Sequence, residues 1–199
     1  MSRPTSERRR PAGEFPFVIE HAARAGLIGH ASKNLAFPFH APILFRVLEV
    51  IVIMSIDTSG KWWVGTSPED IKEYVEAYAS QGSYAAHEFR LARCACGSVD
   101  FHLDADDNEG VARRTCTKCS RQHFLCDSEE FAGEAEYEHW RCECGSEATN
   151  IGVGFSLRKK GGEIRWLYVG CRCAHCGVLG CYANWKIDYA PSRHLFDRV

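Results

Sequence analysis

The chain has 199 residues, 45% apolar, 25% charged and 12% aromatic, with a formal net charge of -2; this composition fits one or two small globular domains and excludes a disordered tail or a collagen-like fibre. No run reaches the roughly 18 apolar residues that a spanning helix needs, because the best candidate, residues 41–54, is short and carries Arg46 and Glu49, so no membrane association is expected. The eleven cysteines stay below the roughly 8–10% of a secreted disulfide scaffold, and their odd number and close pairing point to metal ligation in a reducing, cytoplasmic setting.

Residues 1–53 contain no Asp, Cys, Trp or Tyr and carry seven Lys and Arg against four Glu. This segment reads as a poorly ordered N-terminal extension. Arg8, Arg9 and Arg10 are followed by Pro11 and Glu14 without an apolar stretch, so no export signal is expected. The composition changes at Met54, which we take as the functional start, with an ordinary N-terminal arm as the alternative.

A helical leader is expected over residues 54–89. Ser67 stands at the N-cap, Pro68 at the first helical position, Glu69 and Asp70 in the first turn, and Gly82 just past the end. Ile71, Tyr74, Val75, Tyr78 and Ala79 recur at helical spacing and form one apolar face. Trp62 and Trp63 are expected to cover the same core.

The rest of the chain carries an internal repeat. Arg93-Cys94-Ala95-Cys96-Gly97-Ser98 recurs further along as Arg141-Cys142-Glu143-Cys144-Gly145-Ser146. In the first unit, residues 90–140, Val99, Phe101 and Leu103 alternate as a strand. The chain turns over Asp104 to Gly110, and a second strand returns to Cys116 and Cys119. In the second unit, residues 141–199, Ile151, Val153, Phe155 and Leu157 alternate, Lys159 to Gly162 turn, and Ile164, Trp166 and Tyr168 lead back to Cys173 and Cys176. A third strand is expected in each, around Phe124 to Asp127 and Val178 to Tyr189.

Thiolates two or three residues apart can grip one ion from a tight turn, and a hairpin that delivers a second pair completes a tetrahedron. Zinc suits four sulfurs in a closed structural site. The expected ligands are Cys94, Cys96, Cys116 and Cys119 for one Zn2+ ion, and Cys142, Cys144, Cys173 and Cys176 for a second. Iron bound by the same sulfurs is the alternative. A unit of about 50 residues buries too little surface to be comfortably stable alone, and a structural zinc supplies an apparent 10–16 kcal/mol or so.

On these cysteines each unit resembles a zinc ribbon, with CxCG in place of the commoner first CxxC. The CxCG with the run from Asp104 to Gly110 and the Cys-poor helical leader also resemble uncharacterised bacterial zinc-ribbon proteins. The resemblance implies a mainly β fold with a small α part: two tandem three-stranded antiparallel ribbons, preceded by one amphipathic helix. It implies a structural metal, with functions ranging from nucleic-acid binding to protein assembly.

Cys126, Cys171 and Cys181 are left over. Cys171 and Cys173 form another CxC, so Cys171 competes for the second site; Cys126 and Cys181 read as buried apolar thiols. The acidic run from Asp104 to Gly110 lacks the glycine and glutamate positions of an EF-hand and reads as a solvated hairpin turn. His123, His139 and His175 lie near the cysteine turns and read as surface or supporting residues. GxSxG, GxxxxGK and HExxH are absent, so no enzyme is expected.

Charge is uneven along the chain. Residues 54–89 have two Lys and Arg against six acids, residues 90–140 six against eleven, and residues 141–199 nine against five. A protein-interaction module is the leading functional reading. A nucleic-acid grip built on Arg158, Lys159 and Lys160, with Arg165, Trp166, Arg172, Tyr182, Trp185 and Lys186, is the second. A thiol redox or metal-transfer protein is the third.

Overall fold

The structure, a computed structural model, describes residues 56–158 and 162–199. The expectations for residues 1–53 and Met54, and those for Lys159 and Lys160, lie outside the described residues. Strands β1 (Ile56–Asp57) and β2 (Val64–Gly65) form a small pair ahead of helix α1 (Ile71–Ser80). Eight further strands follow: β3 (Glu88–Leu91), β4 (Phe101–Asp106), β5 (Val111–Cys116), β6 (Gln122–Phe124), β7 (Glu138–His139), β8 (Thr149–Leu157), β9 (Ile164–Cys173) and β10 (Leu179–Lys186). The fold is therefore mainly β, with one α-helix among the described residues and an antiparallel sheet.

The helix starts as its sequence signals require. Pro68–Asp70 make a 3-10 turn that runs into α1. The Asp70 carboxylate reaches back and accepts the backbone N–H groups of Thr66 at 2.7 Å and of the N-cap residue Ser67 at 2.8 Å, fixing the chain as it enters the helix. Ile71, Val75 and Ala79 are buried. They meet the sheet where it has no side chains: a Cβ at Gly154 or Gly170 would collide with Val75, and one at Gly152 with Phe89. Gly152 and Gly170 are register partners on β8 and β9, so they make a flat floor on which the helix lies close. Trp63 and Tyr74 join this face edge to ring, 5.6 Å between centroids.

All eight strands belong to one sheet, ordered β10-β9-β8-β4-β5-β6. The two expected hairpin units are thus joined edge to edge; the third strand of the first lies at Gln122–Phe124, ahead of the expected Phe124 to Asp127, and that of the second, Leu179–Lys186, is shorter than the expected Val178 to Tyr189. Each unit receives the strand that precedes the other unit's first cysteine turn: β3 pairs with β8 across Leu91↔Gly152, and β7 with β4 across Asp104↔His139. The Ala92 N–H donates to the Ile151 carbonyl at 2.9 Å, and the Trp140 N–H to the Leu103 carbonyl at 2.8 Å.

One apolar cluster fills the face of the sheet away from α1. It contains Phe101, Leu103, Ile151, Val153, Phe155, Leu167, Val169 and Trp185. The alternation of β9 breaks at an irregularity between Ser156 and Leu157 of its partner β8. Ile164 therefore packs in this cluster, while Trp166 and Tyr168 face the helix. Asp127 at the end of the first unit is buried and accepts the indole N–H of Trp185 at 3.1 Å, tying the two halves through a polar contact in the core.

Candidate metal centres

Each cysteine site is built from two turns. The Cys94 N–H donates to the Ser98 carbonyl at 2.9 Å and the Gly97 N–H to the Cys94 carbonyl at 2.8 Å, and Cys142, Ser146 and Gly145 repeat both contacts at the same distances. Gly97 and Gly145 have φ of 85° and 86°, with open space where a Cβ would stand. Glycine is needed here for its left-handed backbone. The second turns close with the Ser120 N–H on the Cys116 carbonyl and the Gly177 N–H on the Cys173 carbonyl.

These turns gather Cys94, Cys96, Cys116 and Cys119 into one group, and Cys142, Cys144, Cys173 and Cys176 into another, each with its sulfurs within 4.8 Å of one another. The sulfurs of Cys94 and Cys119 lie 3.5 Å apart, Cys96 and Cys116 3.6 Å, Cys142 and Cys176 3.5 Å, and Cys144 and Cys173 3.6 Å. A tetrahedron of sulfurs about 2.3 Å from a zinc ion has edges of about 3.8 Å, so both groups can hold a metal ion with little movement. None of the eleven cysteines is in a disulfide.

The local field divides each group: it favours the thiolate at Cys94, Cys116 and Cys173 and opposes it at Cys119, Cys142 and Cys176. Burial works against ionisation of Cys116, but backbone N–H groups of Cys119 and Lys118 and the neighbouring thiols outweigh it, bringing its pKa down to about 6. Cys173 is likewise brought down to about 6 against burial, by the N–H groups of Cys176 and His175 and the thiols around it. Arg114, 5% exposed, adds positive charge beside the first group. It donates to the carbonyls of Arg93 and Val199.

Cys171 occupies the place in the second unit that Arg114 has in the first, two residues before the CxxC. It lies outside the second sulfur group, fully buried, with its thiol donating to the Gly180 carbonyl at 3.6 Å; burial pushes it up to about 12. Cys126 is also buried, and burial raises it well above the ordinary thiol. Cys181 is half-buried and donates to the Ala183 carbonyl.

The residues weighed for gripping nucleic acid are largely engaged within the fold. Arg172 donates to the carbonyls of Gly65 and Thr66, fastening the leader beside the second sulfur group. Arg165 lies over the Tyr84 ring, Arg158 donates to the Ile187 carbonyl, and Lys186 pairs with Asp188. Trp166 and Trp185 are buried. The hairpin turn is shorter than the expected solvated run from Asp104 to Gly110: Asp104 and Asp106 lie in β4 and only 107–110 turn, with the buried Asp106 accepting the N–H groups of Asn108 and Glu109 and Gly110 packing against Trp185.

Of the three histidines near the cysteine turns, His175 is exposed and His123 is half-buried. His139 stands in a third group with His102 and Glu147, their ligand atoms within 4.8 Å of one another. Sequence reasoning missed this group, because its members come from separate elements with no motif spacing. Among the described residues no helix is long and apolar enough to cross a membrane. Comparison with known proteins finds no matching family model, no matching curated protein and no matching solved structure.

Proposed function

We propose that the chain is a zinc protein whose two sulfur groups are closed structural sites, each fastening one ribbon, and that it acts as a non-enzymatic module for binding another protein. The observation that carries the metal assignment is the pair of four-sulfur clusters with edges of 3.5 and 3.6 Å. Four thiolates complete the coordination shell and leave no position for substrate, which supports a structural role for both ions.

Charge supports the interaction reading. A cleft of about 300 Å³ is lined by Asp106, Asp107, Glu109, Glu134, Glu136 and Glu138 of the first unit, with Tyr182 of the second. Two zinc ions in four-thiolate sites add about two negative charges each, so a basic protein surface is the complementary partner. Metal analysis of the purified protein tests the sites, with two zinc ions per chain expected. Capture from the native cell at low and high salt tests the module: a specific protein released by salt supports it, and recovery of nucleic acid alone contradicts it.

A further inference from the structure

Outside the cysteine groups, His102 on β4, His139 on β7 and Glu147 ahead of β8 converge at the junction of the two units. We propose that they form a third, solvent-accessible site for a divalent first-row cation such as Zn2+, held by two imidazoles and one carboxylate.

The hydrogen bonds set both rings for ligation. Nδ1 of His139 lies 2.7 Å from Oδ1 of Asp104, and Nδ1 of His102 lies 3.2 Å from the Glu147 carbonyl oxygen. Both partners can only accept, so each Nδ1 carries the proton and each Nε2 presents its lone pair. A carboxylate behind a ligating histidine is the usual arrangement for fixing its tautomer and raising its basicity. Asp104 is in turn held by Nε of Arg113 at 3.0 Å. Nε2 of His139 and Oε2 of Glu147 are 3.6 Å apart, near the roughly 3.3 Å edge of a tetrahedron of N and O ligands around zinc. Arg141 holds the other Glu147 oxygen, leaving Oε2 toward the site.

The opposite side of the sheet junction shows what the fold alone requires. When the two repeats are aligned on Cys94 and Cys142, His102 corresponds to Asn150 and Glu147 to Val99, and Asn150 donates to the Val99 carbonyl at 3.1 Å. The cross-unit contact to that carbonyl is therefore met by an asparagine in one half. The imidazole in the other half makes the same contact and adds a second nitrogen that the contact does not use. Leu91 and Val99 stand where His139 and Glu147 would be, so the three ligands occur on one side only. Three protein ligands leave a coordination position for water, the pattern of an exchangeable or reactive site rather than a closed one. The alternative is a polar cluster without a metal, in which His139 simply bridges Asp104 and Glu147.

Equilibrium dialysis of the zinc-loaded protein against graded Zn2+ separates these. A third equivalent is expected in the micromolar range, with the Nε2 resonances of His102 and His139 shifting as it binds. His102→Asn, which keeps the carbonyl contact as Asn150 does, and Glu147→Gln are each expected to weaken the third equivalent at least about tenfold, leaving the first two ions and the melting temperature unchanged. Saturation at two equivalents, or a third that both variants bind as tightly as the parent, overturns the proposal. Loss of the first two ions would instead tell against the cysteine sites.

Discussion

Phe101 and Thr149, which hold equivalent places relative to the two CxCG turns, face each other as the one paired position between β4 and β8. The contacts on either side repeat in the same way, Ala92 to Ile151 and Trp140 to Leu103, because each residue of one pair corresponds to one of the other. The edge of each hairpin unit left open by this contact is filled by the short strand belonging to the other. Neither unit's first strand is complete without its neighbour, which ties metal binding in one half to the stability of both.

That exchange makes unfolding a single event. Cys96→Ser, which removes one sulfur from the first group, is expected to destabilise β8 and β9 as well as β4 and β5. Amide hydrogen exchange checks this: loss of protection confined to residues 90–140 would contradict it.

The glycine floor beneath α1 gives a packing prediction. Gly154→Ala and Gly170→Ala each force a methyl into Val75, and overpacking of this kind costs about 1–3 kcal/mol. Urea melts of the metal-loaded protein should show lower midpoints, while Gly97→Ala should act through backbone strain at its positive φ.

Cys171 and Cys173 should behave oppositely although they are near neighbours in the chain. Cys171→Ala keeps two metal ions and costs about 1 kcal/mol of packing and hydrogen bonding, whereas Cys173→Ala loses one ion. Alkylation adds a second check, since burial keeps Cys126 and Cys171 protonated. Both should label slowly in the metal-loaded protein; fast labelling would favour a redox role.

His123 contributes a pH dependence. Burial, aided by the charge of Arg114, lowers its pKa from the ordinary 6.5, and its Nε2 is buried without a hydrogen-bond partner. The unfolded chain therefore binds this proton more readily than the folded one, so stability is full above about 6.5 and falls as pH drops toward the folded value. His123→Asn removes that loss. The stability difference between variant and parent should shift toward the variant from pH 7 to pH 6, measured by denaturant melts.

Local signals reveal much of this structure. The spacing of Cys94, Cys96, Cys116 and Cys119 and its recurrence identify which sulfurs meet, because each pair is fixed by a turn of a few residues. Ser67, Pro68 and Gly82 bracket the helix for the same reason. The exchange of β3 and β7 is not legible: these strands are four and two residues long, too short to alternate visibly, and their partners lie in the other repeat, far along the chain. The polar sites follow the same division. Trp185 and Arg172 look available in sequence, yet Asp127, Gly65 and Thr66 claim them through long-range contacts. His102, His139 and Glu147 carry no spacing signal, since only the edge-to-edge joining of the two units brings them together.

The most direct test is to remove the metal from the intact protein with a strong chelator and follow circular dichroism and thermal melting as zinc is counted. Release of two zinc ions with collapse of the β signal and of the melting transition, both restored when zinc is returned, is the predicted result. An unchanged spectrum and melting temperature after complete removal of the ions would contradict the account.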